Sequence, residues 1–103
     1  RGRKILVLGD MLELGDRARM FHREAGKSIA AFPFDMVLTV GELSERIAQV
    51  AVRRGFVPEK VKSFGKSEEA GLFLKDLLKP QDTVLLKGSR GMKLEEIVEA
   101  LSQ

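Results

Sequence analysis

Residues 83–92, Thr-Val-Leu-Leu-Lys-Gly-Ser-Arg-Gly-Met, carry the clearest structural signal in this 103-residue sequence. The first four are apolar or β-branched, and they predict a short buried strand. The two glycines that follow allow the backbone to turn tightly and to approach a ligand closely. An amphipathic helix is predicted next, from about Lys93 to Leu101, and the free N–H groups at its start favour an anion. The stretch is therefore typical of the strand, loop and helix of an α/β protein.

Strands and helices alternate along the rest of the sequence in the same way. Short continuous apolar runs suit parallel strands that are buried on both faces. Alternation of this kind predicts an α/β fold, with a Rossmann-like, mainly parallel sheet flanked by helices. Four strands are fewer than usual, so we expect the first elements of a larger domain to be missing. The predicted strands are Lys4–Leu8, Met36–Val40, Val61–Phe64 and Thr83–Leu86; the other helices are Arg17 to about Ala31, Glu42 to about Arg54 and Ser67 to about Leu78, with Ser67 as an N-cap.

Composition excludes several classes of protein. There is no cysteine and only one histidine, His22, so we expect no disulfide and no metal site. No apolar run approaches the roughly 20 residues of a membrane span. Eighteen basic residues oppose 15 acidic ones, and this mild excess does not indicate nucleic-acid binding. We expect residues 1–103 to be a single domain from a longer, cytoplasmic and monomeric protein.

All four predicted strands are followed by glycine, at Gly9, Gly41, Gly65 and Gly88. Ligands of open α/β sheets bind outside the carboxyl ends of the strands, where these glycines lie. For Gly41 and Gly65 we favour a tight turn alone. The loops after the first and fourth strands carry more polar residues, which makes them the candidate site. No loop contains a complete nucleotide-binding motif such as the P-loop, so the chain is expected to supply only part of a site and to be inactive alone.

Four segments in order resemble one family: Val7–Gly15, His22–Gly26, Leu38–Glu42 and Val84–Glu95. Together they are similar to the C-terminal domain of the Mur ligases, which build bacterial peptidoglycan precursors. The resemblance is strongest to the member that adds D-alanyl-D-alanine. It covers nearly the whole chain, and its first and last segments are long enough to be specific.

The resemblance implies an ATP-dependent, three-domain ligase that joins D-alanyl-D-alanine to UDP-MurNAc-tripeptide through an acyl phosphate. In such an enzyme a sister central domain carries the P-loop and binds most of the ATP and Mg²⁺. The C-terminal domain closes over ATP and helps to receive the dipeptide. We therefore expect this chain to contact ATP and dipeptide and to contain no catalytic residue of its own.

The candidate site residues of the fourth loop are Lys87, Gly88, Ser89 and Arg90. Arginine can clamp a carboxylate or phosphate with two parallel hydrogen bonds, whereas lysine acts as a point charge. The alternatives are that Arg90 pairs with a neighbouring acid such as Glu95 and that Lys87 covers apolar surface with its stem.

The candidates from the first loop and helix are Asp10, Glu13 and His22. Asp10 either holds the ammonium group of the dipeptide or orders the loop through an Asx-type turn. Glu13 has the same two interpretations. His22 either reaches over the carboxyl edge or serves as a packing or hydrogen-bonding residue of its helix.

Two other classes of function fit the residues alone. One is a free-standing Rossmann-like module that binds a nucleotide or phosphosugar, which predicts measurable affinity in the isolated chain. The other is an interaction domain without a small-molecule site, in which the glycines make turns only.

Overall fold

The structure, a computed structural model, describes residues 2–10 and 17–88, with Ala18, Arg19 and His22 described in their backbone only. Four strands alternate with three α-helices over these residues, as the sequence predicts. The predicted fourth helix, Lys93–Leu101, lies outside the described residues. The strands are β1 (Lys4–Gly9), β2 (Met36–Val40), β3 (Val61–Phe64) and β4 (Thr83–Lys87); the helices are α1 (Ala18–Ala31), α2 (Glu42–Arg53) and α3 (Ser67–Leu77).

The strands form one parallel sheet in the order β3-β2-β1-β4. The two central strands are almost wholly buried, which explains why both are continuous apolar runs. The weaker apolar pattern of β3 has a physical reason, because β3 lies at one edge of the sheet. Its Lys62 and Ser63 are exposed, and charged edge residues discourage pairing with another chain.

Helices cover both faces of the sheet. Alternate residues of β1 and β2 point to opposite faces, as the two-residue repeat of a strand requires. On one face Leu6, Leu8 and Val37 pack with residues of α1 and α2. On the other face Ile5, Val7, Leu38 and Val40 pack against Ala70 and Leu74 of α3. The α/β architecture predicted from the sequence is therefore confirmed.

The start of α3 differs slightly from the prediction. Ser67 is the first residue of the helix and Lys66 is the N-cap, so the assignment of Ser67 as N-cap is wrong by one position. The acceptor that satisfies the helix start is instead Glu69, whose Oε1 accepts hydrogen bonds from the amides of Gly65 and Lys66, both at 3.2 Å. A glutamate at the third helical position commonly satisfies the N–H groups ahead of it.

An ion pair joins the turn before β4 to the start of β1, at the amino edge of the sheet. Arg3 Nη2 lies 2.6 Å from Asp82 Oδ2 and also donates to the Leu77 carbonyl at 2.8 Å. The Lys79 amide donates to the same carboxylate oxygen at 2.9 Å. These hydrogen bonds hold the pKa of Asp82 well below its usual range, and those from the Arg3 side chain contribute most.

We expect Asp82→Asn to lower the melting temperature of the chain at neutral pH. Because the folded pKa of Asp82 lies below the unfolded value of about 3.9, the stabilisation is complete above about pH 4 and is lost as the pH falls below it. The gap in melting temperature between wild type and variant should therefore shrink in acid, which thermal melts at several pH values can measure. Asp76→Asn, on the exposed face of α3, is the control. A gap that stays constant down to about pH 2 would contradict this account.

Candidate functional site

The strand order places a topological switch point between β1 and β4. From β1 the chain leads through α1 to β2 on one side, whereas β4 lies on the other side and is reached from β3 through α3. Connections that leave adjacent strands toward opposite sides form a crevice at the carboxyl edge, and we expect one between the ends of β1 and β4. Open α/β sheets bind their ligands at such a crevice. These two loops are the ones that the sequence singles out as the site.

Strand register brings the starts of the two candidate loops side by side. Leu8 pairs with Lys87 across β1 and β4, so Gly9 and Asp10 leave the sheet next to Gly88. His22 belongs to α1, whose backbone follows the loop after β1. Glu13, Ser89 and Arg90 lie outside the described residues, so their roles stay predictions.

Asp10 is buried and its carboxylate faces α2. Its residue surface is 8% exposed, and its Oδ1 accepts a hydrogen bond from the Ser44 amide at 2.7 Å. Ser44 is the third residue of α2, where the N–H group has no partner within the helix. Asp10 thus supplies, from 34 residues away, the acceptor that an N-cap side chain normally provides.

Gly41 makes room for that carboxylate. Its φ of +104° and ψ of 165° lie in a region that is essentially restricted to glycine. A Cβ atom at this position would lie 2.5 Å from Asp10 Cγ and Oδ2 and 2.6 Å from Oδ1. The preference for Gly41 as a turn residue thus has a specific structural cause, in both its backbone and its contact with Asp10. Gly65 has no such requirement, since a Cβ there would meet only Glu69 Oε1, at 3.9 Å.

The chain's own acids occupy the first turns of two helices at this edge. Asp10 caps α2, whose first turn also contains Glu42 and Glu45. In α3 the first turn contains Glu68 and Glu69. A positive helix end is a ready site for an anion, and here carboxylates already use both. An anionic ligand is therefore better accommodated on the β1/β4 side of the edge.

Lys87 ends β4 with an exposed side chain, and none of the ion pairs among the described residues includes it. It also lines a groove of about 610 Å³ on the sheet face beside α1, together with Leu85, Phe21 and Phe32. Lys87 can therefore serve both predicted roles, because its stem can cover this apolar surface while its ammonium group faces an anion at the edge. The groove is mainly apolar and lies on the face of the sheet, not at the edge where the candidate loops meet.

Neither metal ligation nor membrane insertion finds support in the described part of the chain. Over residues 2–10 and 17–88, no three histidine or acidic side chains come together as ligands for an ion. No helix within the same residues has the length and apolar character needed to cross a membrane.

Sequence reasoning missed Ser44 and its link to Asp10. Ser44 is fully buried, and its hydroxyl donates to the Val40 carbonyl at 2.9 Å. One signal could have indicated the link: α2 begins after a glycine, which offers no side-chain acceptor. A helix start of this kind requires an acceptor from elsewhere in the fold.

Comparison with known proteins identifies the family. Residues 1–90 match the family model described as "Mur ligase, glutamate ligase domain". The UDP-N-acetylmuramoyl-tripeptide–D-alanyl-D-alanine ligase of Bacillus subtilis (strain 168) is 43% identical over 100 residues, which cover 97% of this chain and 22% of that protein.

Solved structures agree with this match. A crystal structure of MurF from Acinetobacter baumannii aligns with a TM-score of 0.77 at 32% identity, over 98% of this chain and 22% of that chain. MurF ligase from Thermotoga maritima, in complex with ADP, aligns with a TM-score of 0.72 at 28% identity, over 98% of this chain and 22% of that chain. The chain thus spans 22% of the length of these relatives. Its sequence and its parallel sheet show that the chain belongs to the Mur ligase family, as a C-terminal domain of that family.

Proposed function

We propose that this chain is the C-terminal domain of an ATP-dependent ligase that joins D-alanyl-D-alanine to UDP-MurNAc-tripeptide. The observation that carries the proposal is the adjacency of the carboxyl ends of β1 and β4, where Gly9 and Asp10 lie beside Lys87 and Gly88. Similarity to a ligase named for this reaction, over 97% of the chain, supports the substrate assignment. It also favours a ligase domain over a free-standing nucleotide- or phosphosugar-binding module.

The residues of the two loops suit a substrate that carries a positive charge at one end and a negative charge at the other. D-alanyl-D-alanine has an ammonium group at one end and a carboxylate at the other. Lys87 and Arg90 are proposed to bind the carboxylate or an ATP phosphate, and Ser89 and the Gly88 backbone can add hydrogen bonds. Glu13 and His22 are proposed to line the crevice from the β1 side.

The proposed contribution of the domain to the reaction is to orient the dipeptide. In the proposed sequence the tripeptide carboxylate takes the γ-phosphoryl group of ATP, which forms an acyl phosphate and releases ADP. The dipeptide amine then attacks the acyl carbon, and phosphate leaves as the amide bond forms. Holding the amine against that carbon turns an encounter of two molecules into a step within one complex, which can lower the barrier by several kcal/mol.

ATP and Mg²⁺ are assigned mainly to the central domain of the ligase. The chain contains no P-loop motif, and a structural relative is described in complex with ADP. This chain is proposed to close over the nucleotide, not to hold it alone. The isolated chain is accordingly expected to fold and to be catalytically silent.

Phosphate release by the intact ligase that contains this chain tests the function. We expect release from ATP to require both UDP-MurNAc-tripeptide and D-alanyl-D-alanine, with L-alanyl-L-alanine as the control dipeptide. The purified chain alone should release none. Release that does not depend on the dipeptide, or ATP hydrolysis that scales with the concentration of the purified chain, would overturn the proposal.

A further inference from the structure

The two possible roles of Asp10 make different demands on its carboxylate. A residue that binds the dipeptide ammonium must present free carboxylate oxygen to the crevice. A residue that orders the site needs its oxygens committed to the protein. Among the described residues, the contacts of the Asp10 carboxylate are with Ser44 and Gly41, on the side of β2 and α2, whereas β4 and Lys87 lie on the other side of β1.

Burial leaves little of Asp10 for a ligand. Only 8% of the residue surface is exposed, and Oδ1 is engaged by the Ser44 amide at 2.7 Å. Oδ2 and Cγ both lie 2.5 Å from the position that a Cβ atom on Gly41 would occupy. The carboxylate therefore packs between the end of β2 and the first turn of α2.

That position is itself tied to the rest of the edge. The Gly41 amide donates to the Phe64 carbonyl at the end of β3, at 2.9 Å, and the Ser44 hydroxyl donates to the Val40 carbonyl. Asp10 thus connects the end of β1 to a hydrogen-bonded unit that spans the ends of β2 and β3. The loop that follows β1 begins at the residue that makes this connection.

We infer that Asp10 is a positioning residue of the ligase site, whose carboxylate fixes the start of the loop after β1 onto the N-terminus of α2 and does not contact the dipeptide. Fixing this point sets where the chain leaves the sheet after Asp10, beside the end of β4. The carboxylate also occupies the positive end of α2, so that a substrate carboxylate or phosphate is directed to the β4 side. The kinetic consequences rest on the ligase function proposed above.

Kinetics of the intact ligase separate positioning from contact. Asp10→Ala removes the acceptor, and a displacement of about 1 Å in the loop can cost on the order of 100-fold in rate, so we expect kcat/KM to fall about 10- to 100-fold, mainly through kcat. Asp10→Asn should recover most of the loss, because a carboxamide oxygen accepts the same hydrogen bond from Ser44. If kcat/KM falls as far in Asp10→Asn as in Asp10→Ala, and the loss comes only from a higher KM for the dipeptide, the residue binds the ammonium group and the inference is wrong.

Asp35→Ala is the matched control for a merely structural effect. Asp35 Oδ2 accepts a hydrogen bond from the Lys4 amide at 2.7 Å, at the opposite edge of the sheet. The control removes a comparable hydrogen bond far from the crevice, and activity at a temperature well below unfolding should be unchanged. If Asp10→Ala loses no more activity than Asp35→Ala, Asp10 is a structural cap only and the inference fails.

Hydrogen exchange of the intact ligase tests the anchor independently of the reaction. Peptides that cover residues 9–16 and 41–45 should exchange faster in Asp10→Ala than in wild type, and near the wild-type rate in Asp10→Asn. This pattern in an enzyme that performs no ligation would overturn the proposed function and leave the anchor standing. Unchanged exchange in Asp10→Ala would overturn the anchor.

Discussion

Gly41→Ala is expected to lower the melting temperature of this chain by on the order of 10 °C. The backbone of Gly41 lies at φ +104° and ψ 165°, and holding another residue there costs about 1–3 kcal/mol. The new Cβ would also meet the Asp10 carboxylate at 2.5 Å, so the carboxylate must leave the Ser44 amide. Loss of a helix cap costs about 0.5–2 kcal/mol more. Thermal unfolding followed by circular dichroism measures the sum.

Gly65→Ala is the matched control, because Gly65 follows β3 as Gly41 follows β2. A Cβ there meets only Glu69 Oε1, at an ordinary 3.9 Å, so we expect little change in melting temperature. In an Asp10→Ala background, Gly41→Ala should cost less than in wild type, since the clash is gone and only the backbone strain remains. Equal effects of the two glycine substitutions would contradict the account of this edge.

Arg90→Ala in the intact ligase is expected to have the largest effect on activity. Arg90 follows β4 by three residues, and we expect its guanidinium group to reach the crevice that faces the central domain. Loss of a charge-assisted hydrogen bond costs about 1.5–3 kcal/mol, which corresponds to about 10- to 150-fold in kcat/KM. Steady-state kinetics with ATP and with D-alanyl-D-alanine measure this loss.

Arg90→Lys separates charge from geometry. Lysine keeps the positive charge but not the two-pronged donor, so we expect an intermediate activity. Both variants should melt near the wild-type temperature, because removal of a loop cation leaves no cavity. Arg53→Ala, in the last turn of α2 and exposed, is the control. Full kcat/KM for both substrates in Arg90→Ala would show that Arg90 is not part of the site, and unfolding would place it in a structural ion pair.

Much of the fold could be predicted because burial imposes a visible pattern on the sequence. Met36–Val40 is a continuous apolar run since β2 is covered on both faces, and its bounds agree with the structure. Predicted Lys4–Leu8 and Thr83–Leu86 differ from β1 and β4 by a single residue at their ends. The glycine after each strand also indicated where the carboxyl edge of the sheet lies.

The contacts between side chains, at the site and at the amino edge, could not be predicted in the same way, because they join residues far apart in the sequence. The bond from the Ser44 amide to Asp10 spans 34 residues, and the ion pair of Arg3 with Asp82 spans 79. No local spacing pattern records such pairs. Sequence reasoning selected Asp10 by its place after β1, whereas its partner could be found only from the fold.

Hydrogen exchange of the intact ligase, with and without ADP and D-alanyl-D-alanine, tests the central claim most directly. The claim is that the ligands meet this chain at the crevice between β1 and β4. We predict slower exchange on ligand addition in peptides that cover Gly9–Asp16 and Lys87–Met92, and no change at the amino edge, in peptides that cover Gly2–Lys4 and Pro80–Asp82. Protection centred on the amino edge, or none at the two loops under conditions in which the enzyme turns over, would contradict the account.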